Sequence, residues 1–161
     1  GNEGGDAGSP SIPEGFDGSI LTIPSYVGGA GGGAAEAGST DAEGAGGDGL
    51  PNDITGSTVT YAGGGSGCTH ASGTIVPGGD GGGGTGAKYG GDPGTNGTDG
   101  LGGGGGGIAN SGGTVQTTGG DGIVILRVAT ADKGTPTGED SSAVDGSDTV
   151  FTWLSSGSYV A

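Results

Sequence analysis

The chain has few of the residues from which a conventional hydrophobic core is built. It contains one tryptophan, two phenylalanines, four tyrosines and no methionine in 161 residues, and hydrophobic residues make up 28% of it. Glycine accounts for 49 residues. Ordering the backbone costs roughly 1–2 kcal/mol per residue, and glycine loses the most freedom while burying no side chain. Burial of apolar side chains therefore cannot be the main source of order in this protein.

Basic residues are almost absent. Lys88, Arg127 and Lys133 stand against 18 acidic residues, which gives a formal net charge of -15. A phosphate backbone is bound through a positively charged surface, so the composition excludes nucleic acid as a partner. The acidic surface suits solubility or cation binding.

Cysteine and long apolar runs are scarce as well. Cys68 is the single cysteine, so an internal disulfide is excluded. No segment approaches the ~20 consecutive apolar residues of a transmembrane helix, and no signal peptide is recognisable. The chain starts at Gly1 without methionine, from which we expect a processed or excised piece whose targeting segment has been removed.

Two interpretations of the glycine content are open. Low hydrophobicity, high net charge and glycine runs are typical of intrinsic disorder. Short segments rich in β-branched and aromatic residues interrupt the glycine tracts, however, and a flexible linker would lack them. If ordered, the tracts are predicted to form extended left-handed helices of polyproline-II geometry, which have no internal hydrogen bonds. Their amides must then pair with neighbouring segments or water, and only glycine permits backbones to approach that closely.

The predicted fold class is mostly β and irregular, with glycine-rich extended helices bundled with a small antiparallel sheet and essentially no α-helix. The pattern predicts brief strands at 19–23 and 74–76, and a short hairpin or bulged strand over 54–61. Glycines at a strict three-residue period are expected on one edge of an extended helix with three residues per turn. These glycines are Gly91, Gly94, Gly97, Gly100, Gly103 and Gly106.

The C-terminal part contains the strongest strand signals. Residues 122–128 are apolar on both faces and are predicted to form the central strand of the small sheet. Residues 149–154 and 158–160 flank Ser155-Ser156-Gly157, which is typical of a hairpin. The predicted organisation is a glycine-rich domain at 1–128, a polar connector at 129–148 and a terminal hairpin at 149–161.

Two of these patterns resemble a known family. The sequence Ile-Thr-Gly-Ser-Thr-Val-Thr-Tyr-Ala-Gly-Gly-Gly at 54–65 precedes a long glycine tract, and Asp-Gly-Ile-Val-Ile-Leu-Arg-Val at 121–128 follows it. This order is similar to that of glycine-rich domains of phage tail fibres and of bacterial surface proteins, some of which form polyglycine-II sandwiches. The resemblance spans about residues 27–128. It implies a non-enzymatic structural protein at an extracellular or virion surface.

The resemblance also predicts a mode of assembly. In the family a unit opens with a Phe-Thr hairpin and closes with the Ile-Val-Ile strand, whereas here the aromatic segment follows the closing strand. We therefore expect residues 149–160 to add as a strand to the sheet of the next copy, beside residues 123–128. A head-to-tail contact of this kind propagates into a filament unless it closes. The residues predicted to mediate assembly are Ile123, Ile125, Val150, Phe151, Trp153, Leu154 and Tyr159.

Catalytic patterns are thin. Cys68 and His70 could pair as nucleophile and base, but no third residue is available to orient the histidine, and two ligands are too few for structural zinc. The many Gly-x-Gly-x-x-Gly matches carry no information in a chain this rich in glycine, and no helical pattern follows them. We expect no enzyme activity and no organic cofactor.

Oxygen-rich loops at 48–53 and 92–99 offer a candidate cation site. Carboxylates and carbonyls are the ligands that calcium prefers, although neither loop matches the helical-hand or nonapeptide calcium pattern. The alternative is a solvated acidic face. Asn96-Gly97-Thr98 is an N-glycosylation sequon, and the many Ser and Thr residues make O-linked sugar an alternative. The candidate calcium ligands are Asp48, Asp53, Asp92 and Asp99.

Two functions remain open from the sequence. The first is a structural fibre unit that self-associates through its terminal strands into a filament. The second is an adhesin module whose loops bind a cell-surface glycan or receptor. Aromatic residues on strands more often belong to a core than to a sugar site. The candidate stacking residues are Tyr26, Tyr61, Tyr89 and Trp153.

Overall fold

Glycine-rich tracts alternate with short strands along the chain. The computed structural model describes residues 15–19, 27–39, 44–70, 72–109 and 116–161. These segments contain seven strands, one 3₁₀ turn and no α-helix, which confirms the predicted class of a mostly β and irregular fold. The strand expected at 19–23 lies, apart from Ser19, outside the described residues, as does Tyr26.

The strands are short and pair only in antiparallel ladders. Their order is a β1–β2 pair, a three-stranded β3-β6-β5 sheet and a β4–β7 pair. The strands are β1 (Leu50–Asn52), β2 (Val59–Tyr61), β3 (Val124–Ala129), β4 (Thr135–Thr137), β5 (Ser141–Asp145), β6 (Asp148–Trp153) and β7 (Ser158–Val160), and the 3₁₀ turn is Thr130–Asp132.

Residues 62–69, called the central tract below, lie in the middle of a bundle of extended glycine-rich segments. All of residues 63–67 are buried, and Ser66 has the only side chain among them. The Ser66 hydroxyl donates to the carbonyl of Val76 at 2.7 Å and accepts the amide of Gly86 at 2.8 Å. The interior of this domain is therefore backbone in contact with backbone.

The hydrogen-bond partners of the central tract repeat every three residues. The amides of Gly63, Ser66 and Thr69 donate to carbonyls in residues 81–87 at 2.8 to 3.0 Å. The amides of Gly64 and Gly67 donate to carbonyls in residues 44–47 at 2.8 Å. The carbonyls of Ala62, Gly65 and Cys68 accept amides from residues 28–34 at 2.8 to 3.0 Å. Three sets of groups facing three neighbours are expected of an extended helix with three residues per turn, in agreement with the geometry predicted from the glycine tracts.

A further neighbour, residues 101–107, runs parallel to the central tract. Gly104 and Gly107 donate to the carbonyls of Gly63 and Ser66 at 2.9 and 2.8 Å. Residues 84–87 donate in turn to the carbonyls of Gly104 and Gly107, at 2.8 and 2.7 Å. The three segments therefore bind one another pairwise through backbone hydrogen bonds, and the Ser66 hydroxyl adds a side-chain contact to Gly86.

Side chains are excluded from this bundle by contact. A Cβ atom on Gly67 would overlap the carbonyl oxygen of Gly28, and a Cβ on Gly65 would overlap that of Gly105. Neither neighbour is the flexible end of a side chain, so neither can move aside without breaking backbone hydrogen bonds. Glycine is required at these positions because of the interaxial spacing of the helices.

The three-residue glycine period at 91–106 does not lie on one helix, so that prediction was wrong. Residues 99–102 form a turn with φ of 75° at Gly100 and 69° at Gly102. The chain reverses there, and a Cβ on Gly97 would overlap the carbonyl oxygen of Gly103. The glycines of this period therefore belong to two antiparallel helices that face each other.

The hairpin of the glycine-rich domain begins earlier than predicted. Its strands are β1 and β2, and residues 53–58 are the turn between them. Gly56 has φ of 85°. The side-chain oxygen of Asn52 accepts a hydrogen bond from the amide of Ile54 at 2.8 Å, so Ile54, the first residue of the predicted strand, lies in the turn. Residues 74–76, predicted as a strand, have no strand pairing.

The central strand of the C-terminal sheet is β6, whereas the sequence predicted residues 122–128. Strand β6 pairs with β3 over six positions and with β5 over five. Thr149, Val150, Phe151 and Trp153 of β6 are buried, while Val124 of β3 is 63% exposed. The aromatic residues make β6 the strand with most to gain from burial, so β3 lies at an edge.

The predicted hairpin between residues 149–154 and 158–160 is absent. Strand β7 pairs with β4 over three positions, and β6 pairs with β3 and β5 instead. Strand β6 forms six pairs with β3 and five with β5, which is more than the three pairs that it could form with β7. Residues 129–148, predicted as a polar connector, accordingly contain the 3₁₀ turn, β4 and β5.

The substitution Gly67→Ala tests the backbone packing. Because the new methyl group must displace the backbone at Gly28, we expect a loss of about 3 kcal/mol or more in unfolding free energy, measured by denaturant titration. Gly122→Ala is the matched control, since a Cβ there meets no atom within 4 Å, and we expect a change within about 1 kcal/mol. Equal effects of the two substitutions would contradict the packing described.

Candidate assembly site

The residues predicted to mediate assembly divide into a buried and an accessible group. Val150, Phe151 and Trp153 are 5%, 2% and 6% exposed and form the core of the C-terminal sheets. Leu154 is exposed. The half-buried members are Ile123, Ile125 and Tyr159.

Aromatic contacts join the two C-terminal sheets. The ring of Phe151 lies 6.0 Å from that of Trp153 and 5.9 Å from that of Tyr159, between centroids. The Trp153 indole nitrogen donates to the carbonyl of Thr137 at 3.2 Å, and the Tyr159 hydroxyl accepts the amide of Gly134 at 2.7 Å. The three-stranded sheet and the β4–β7 pair therefore share one small core.

The segment predicted to be donated to a neighbouring copy is paired within its own chain. Strand β6 lies beside β3, from the pair Val124 and Trp153 to the pair Ala129 and Asp148. Residues 149–153 of the predicted donor segment therefore pair with β3 of their own chain. In the three-stranded sheet, β3 and β5 are the outer strands, and each pairs with a described strand on one side only.

Arg127 connects the sheet to the glycine-rich domain. Its guanidinium donates to Asp145 at 2.7 Å and to Asp148 at 2.8 Å, on the strands β5 and β6. It also donates to the carbonyl of Ile54 at 3.2 Å, in the turn between β1 and β2. Hydrogen bonds to Asp145, and then to Asp148, raise the pKa of Arg127 above its ordinary value, so its charge is constant at any pH of practical use.

Sequence reasoning missed this role of Arg127. Arg127 was treated as part of an apolar strand, and Asp145 and Asp148 as part of a connector. A signal was present, because Gly146-Ser147 is a common two-residue hairpin turn with glycine at its first position, and φ is 63° at Gly146. Recognising that turn would have placed both carboxylates at one end of a hairpin.

Replacement of Arg127 tests this connection. We expect Arg127→Gln to lower the melting temperature, because Asp145 and Asp148 then lie close together without a cation. Lys133→Gln removes the same charge at an exposed position and is the matched control, for which we expect a smaller change. Thermal melts in low and high salt check both, and the difference between the variants should shrink as salt screens the charges. A larger effect at Lys133 would contradict the assignment.

Two of the four candidate calcium ligands accept hydrogen bonds from backbone amides. A side-chain oxygen of Asp48 accepts the amide of Asp80 at 2.7 Å, and one of Asp99 accepts the amide of Asp121 at 2.9 Å. Within the described segments, no three His, Cys, Asp or Glu residues are grouped so that they could hold a metal. Asp53 and Asp92 are exposed. Calcium binding by these residues stays a prediction.

Asn96 and the loop around His70 lie at the surface. Asn96 is exposed, and its side-chain oxygen accepts the amide of Thr118 at 3.0 Å. The ring of His70 stacks on that of Tyr89, with centroids 5.8 Å apart and planes inclined by 5°. Cys68 is half-buried and free. The bundle thus presents an aromatic pair in the loops that follow the central tract and residues 81–88.

No helix in the described part of the chain is long and apolar enough to cross a membrane, in agreement with the absence of a predicted span.

The chain was compared with protein families, curated proteins and solved structures. A family model described as a glycine-rich domain matches residues 1–129. The comparisons with curated proteins and with solved structures gave no match. The family match covers most of the chain and ends at the last residue of β3. The chain therefore belongs to the glycine-rich domain family.

Proposed function

We propose that this protein is a non-enzymatic structural unit of an extracellular or virion fibre that self-associates through its C-terminal sheet. The observation that carries this proposal is the burial of residues 63–67, whose backbone groups bind other backbone segments. A bundle of this kind fills its interior with its own backbone, and its cohesion comes from hydrogen bonds among those segments. Such a body suits a spacer or a fibre better than a small-molecule enzyme.

Self-association is proposed to occur by edge-to-edge pairing of strands. The three-stranded sheet ends in β3 on one side and β5 on the other, and unpaired strand edges are templates for another chain. Contact between the β5 edge of one copy and the β3 edge of the next is heterologous and propagates head to tail. This mechanism replaces the donation of residues 149–160, which are paired inside their own chain.

The β5 edge lacks some of the features that usually prevent such pairing. Residues 141–144 of β5 are uncharged and exposed, and Val144 is 68% exposed. Asp145, the acidic residue of the strand, is bound by Arg127. Natural proteins commonly protect an edge with charge, proline or a covering segment, and residues 141–144 contain neither charge nor proline.

The substitution Val144→Glu tests the edge contact. We expect it to abolish filaments in negative-stain micrographs and to leave only small, discrete species in sedimentation velocity, because a charge at the edge opposes strand addition in an acidic chain. The fold should be retained, since the side chain is exposed.

Val160→Glu is the matched control for this substitution. Val160 is also 68% exposed, but it lies on β7, outside the proposed contact. Filaments should persist in Val160→Glu. Filaments that survive Val144→Glu, or that are lost equally in both variants, would overturn the proposed edge contact.

One observation supports a second function, that of an adhesin module. Tyr89 is 48% exposed and is stacked in parallel with His70, which gives the loops at one end of these tracts a flat aromatic surface. Aromatic rings with a polar tip are common in recognition surfaces. A sugar ring could stack on the outer face of this pair.

Tyr89→Ala tests the adhesin alternative. We expect the substitution to remove binding to an array of immobilised oligosaccharides, whereas Tyr89→Phe should retain it because the ring remains. Absence of binding by the unaltered protein, or unchanged binding by Tyr89→Ala, would exclude this surface as a glycan site.

A further inference from the structure

A groove runs along the central tract, between residues 29–34 on one side and residues 102–107 on the other. It has a volume of about 390 Å³. Among the described residues, its lining consists of glycine, alanine and serine, with Phe16 as the only larger side chain and no charged residue. In a chain with a formal net charge of -15, this is a surface where a second acidic molecule can approach without facing carboxylates.

The floor of the groove holds a backbone amide without a partner. Gly65 is buried, and its amide donates to no acceptor in the part of the chain that the structure describes. The amides on either side, those of Gly64 and Ser66, are both paired. Buried backbone amides almost always donate a hydrogen bond, so a carbonyl oxygen or a water molecule is expected as the acceptor for the Gly65 amide.

The geometry of the groove restricts what could supply that carbonyl. A Cβ on Gly31 or on Gly104, in the two walls, would lie 3.4 and 3.1 Å from the Gly65 nitrogen. One added methyl group on either wall would therefore reach the amide, so the space between the walls is narrow and a segment with side chains at every position would collide with them. An extended helix with glycine at every third residue fits, because it presents a carbonyl and no side chain once per turn.

We propose that this groove binds an extended glycine-rich segment of a second copy of this chain. The sequence Gly-Gly-Ala-Gly-Gly-Gly at 28–33 is such a segment, and its Gly29 and Gly31 are exposed at the rim of the groove. Two copies related by a twofold axis can thus each place this segment against the other's groove, as an isologous contact requires. The inference rests on the proposed self-association, but it adds a lateral contact that is separate from the strand edge.

Substitutions at Gly31 test the groove directly. A Cβ on Gly31 makes only ordinary contacts, the nearest at 3.4 Å, so Gly31→Ala should fold normally while filling the space over the Gly65 amide. We expect its lateral association constant to fall at least ten-fold in sedimentation equilibrium of the full chain, with an unchanged melting temperature. Gly122→Ala, which adds the same methyl group in open space, should associate as the unaltered protein does.

The Val144→Glu background separates the lateral contact from the edge contact. If the groove binds a second copy, Val144→Glu should still form discrete dimers at high concentration, and adding Gly31→Ala should dissociate them. Dimers that persist in the double variant, or their absence from Val144→Glu, would overturn the inference. Filaments in Val144→Glu that Gly31→Ala leaves unchanged would overturn both the inference and the edge contact.

Amide exchange gives a second readout at the groove. We expect the hydrogen exchange of the Gly65 amide, measured by NMR on the Val144→Glu variant, to slow at least ten-fold as the protein concentration is raised into the range where dimers form. Exchange that does not depend on concentration would mean that water fills the groove, and the proposal would be wrong.

Discussion

The structure depends on hydrogen bonds between backbones that no side chain separates. In the central tract, successive amides and carbonyls face different neighbours in a three-residue cycle, so one segment binds residues 28–34, 44–47, 81–87 and 101–107 at once. An α-helix satisfies its own backbone, and a strand binds two neighbours at most. An extended glycine helix binds several, and this multiplicity supplies the cohesion that the 28% of hydrophobic residues cannot.

Because of this constraint, the residues that hold the bundle together are different from the residues available for contact with other molecules. The centre of the glycine-rich bundle is packed without large side chains, whereas the C-terminal sheets have a small aromatic core of Phe151 and Trp153. Arg127 fixes that sheet to the turn at Ile54. A fibre unit of this design would transmit load through backbone contacts and make its connections through strand edges.

The sequence predicted the class of fold because the glycine content and the β-branched segments between the glycine tracts are local properties. It did not predict which strand is central, since that choice depends on a competition among partners: β6 gains eleven paired positions from its two neighbours, six with β3 and five with β5. The Asp99–Gly102 reversal was missed because a turn inside a glycine tract has no composition that distinguishes it. Of the candidate site, residues 149–160 and 123–128 were predicted to be neighbours between copies, whereas the structure pairs β6 with β3 within one chain. Arg127 and its two carboxylates were not predicted, because their proximity arises from tertiary structure.

Hydrogen exchange at the central tract is the most direct measurement of this account. The amides of Gly64 and Gly67 are buried and bind the carbonyls of Gly47 and Gly44 at 2.8 Å. They should exchange only through global unfolding, with a protection free energy equal to that from denaturant titration, although no apolar side chain covers them. Exchange of these two amides at the rate of an unstructured glycine peptide would contradict the claim that backbone contact holds the fold.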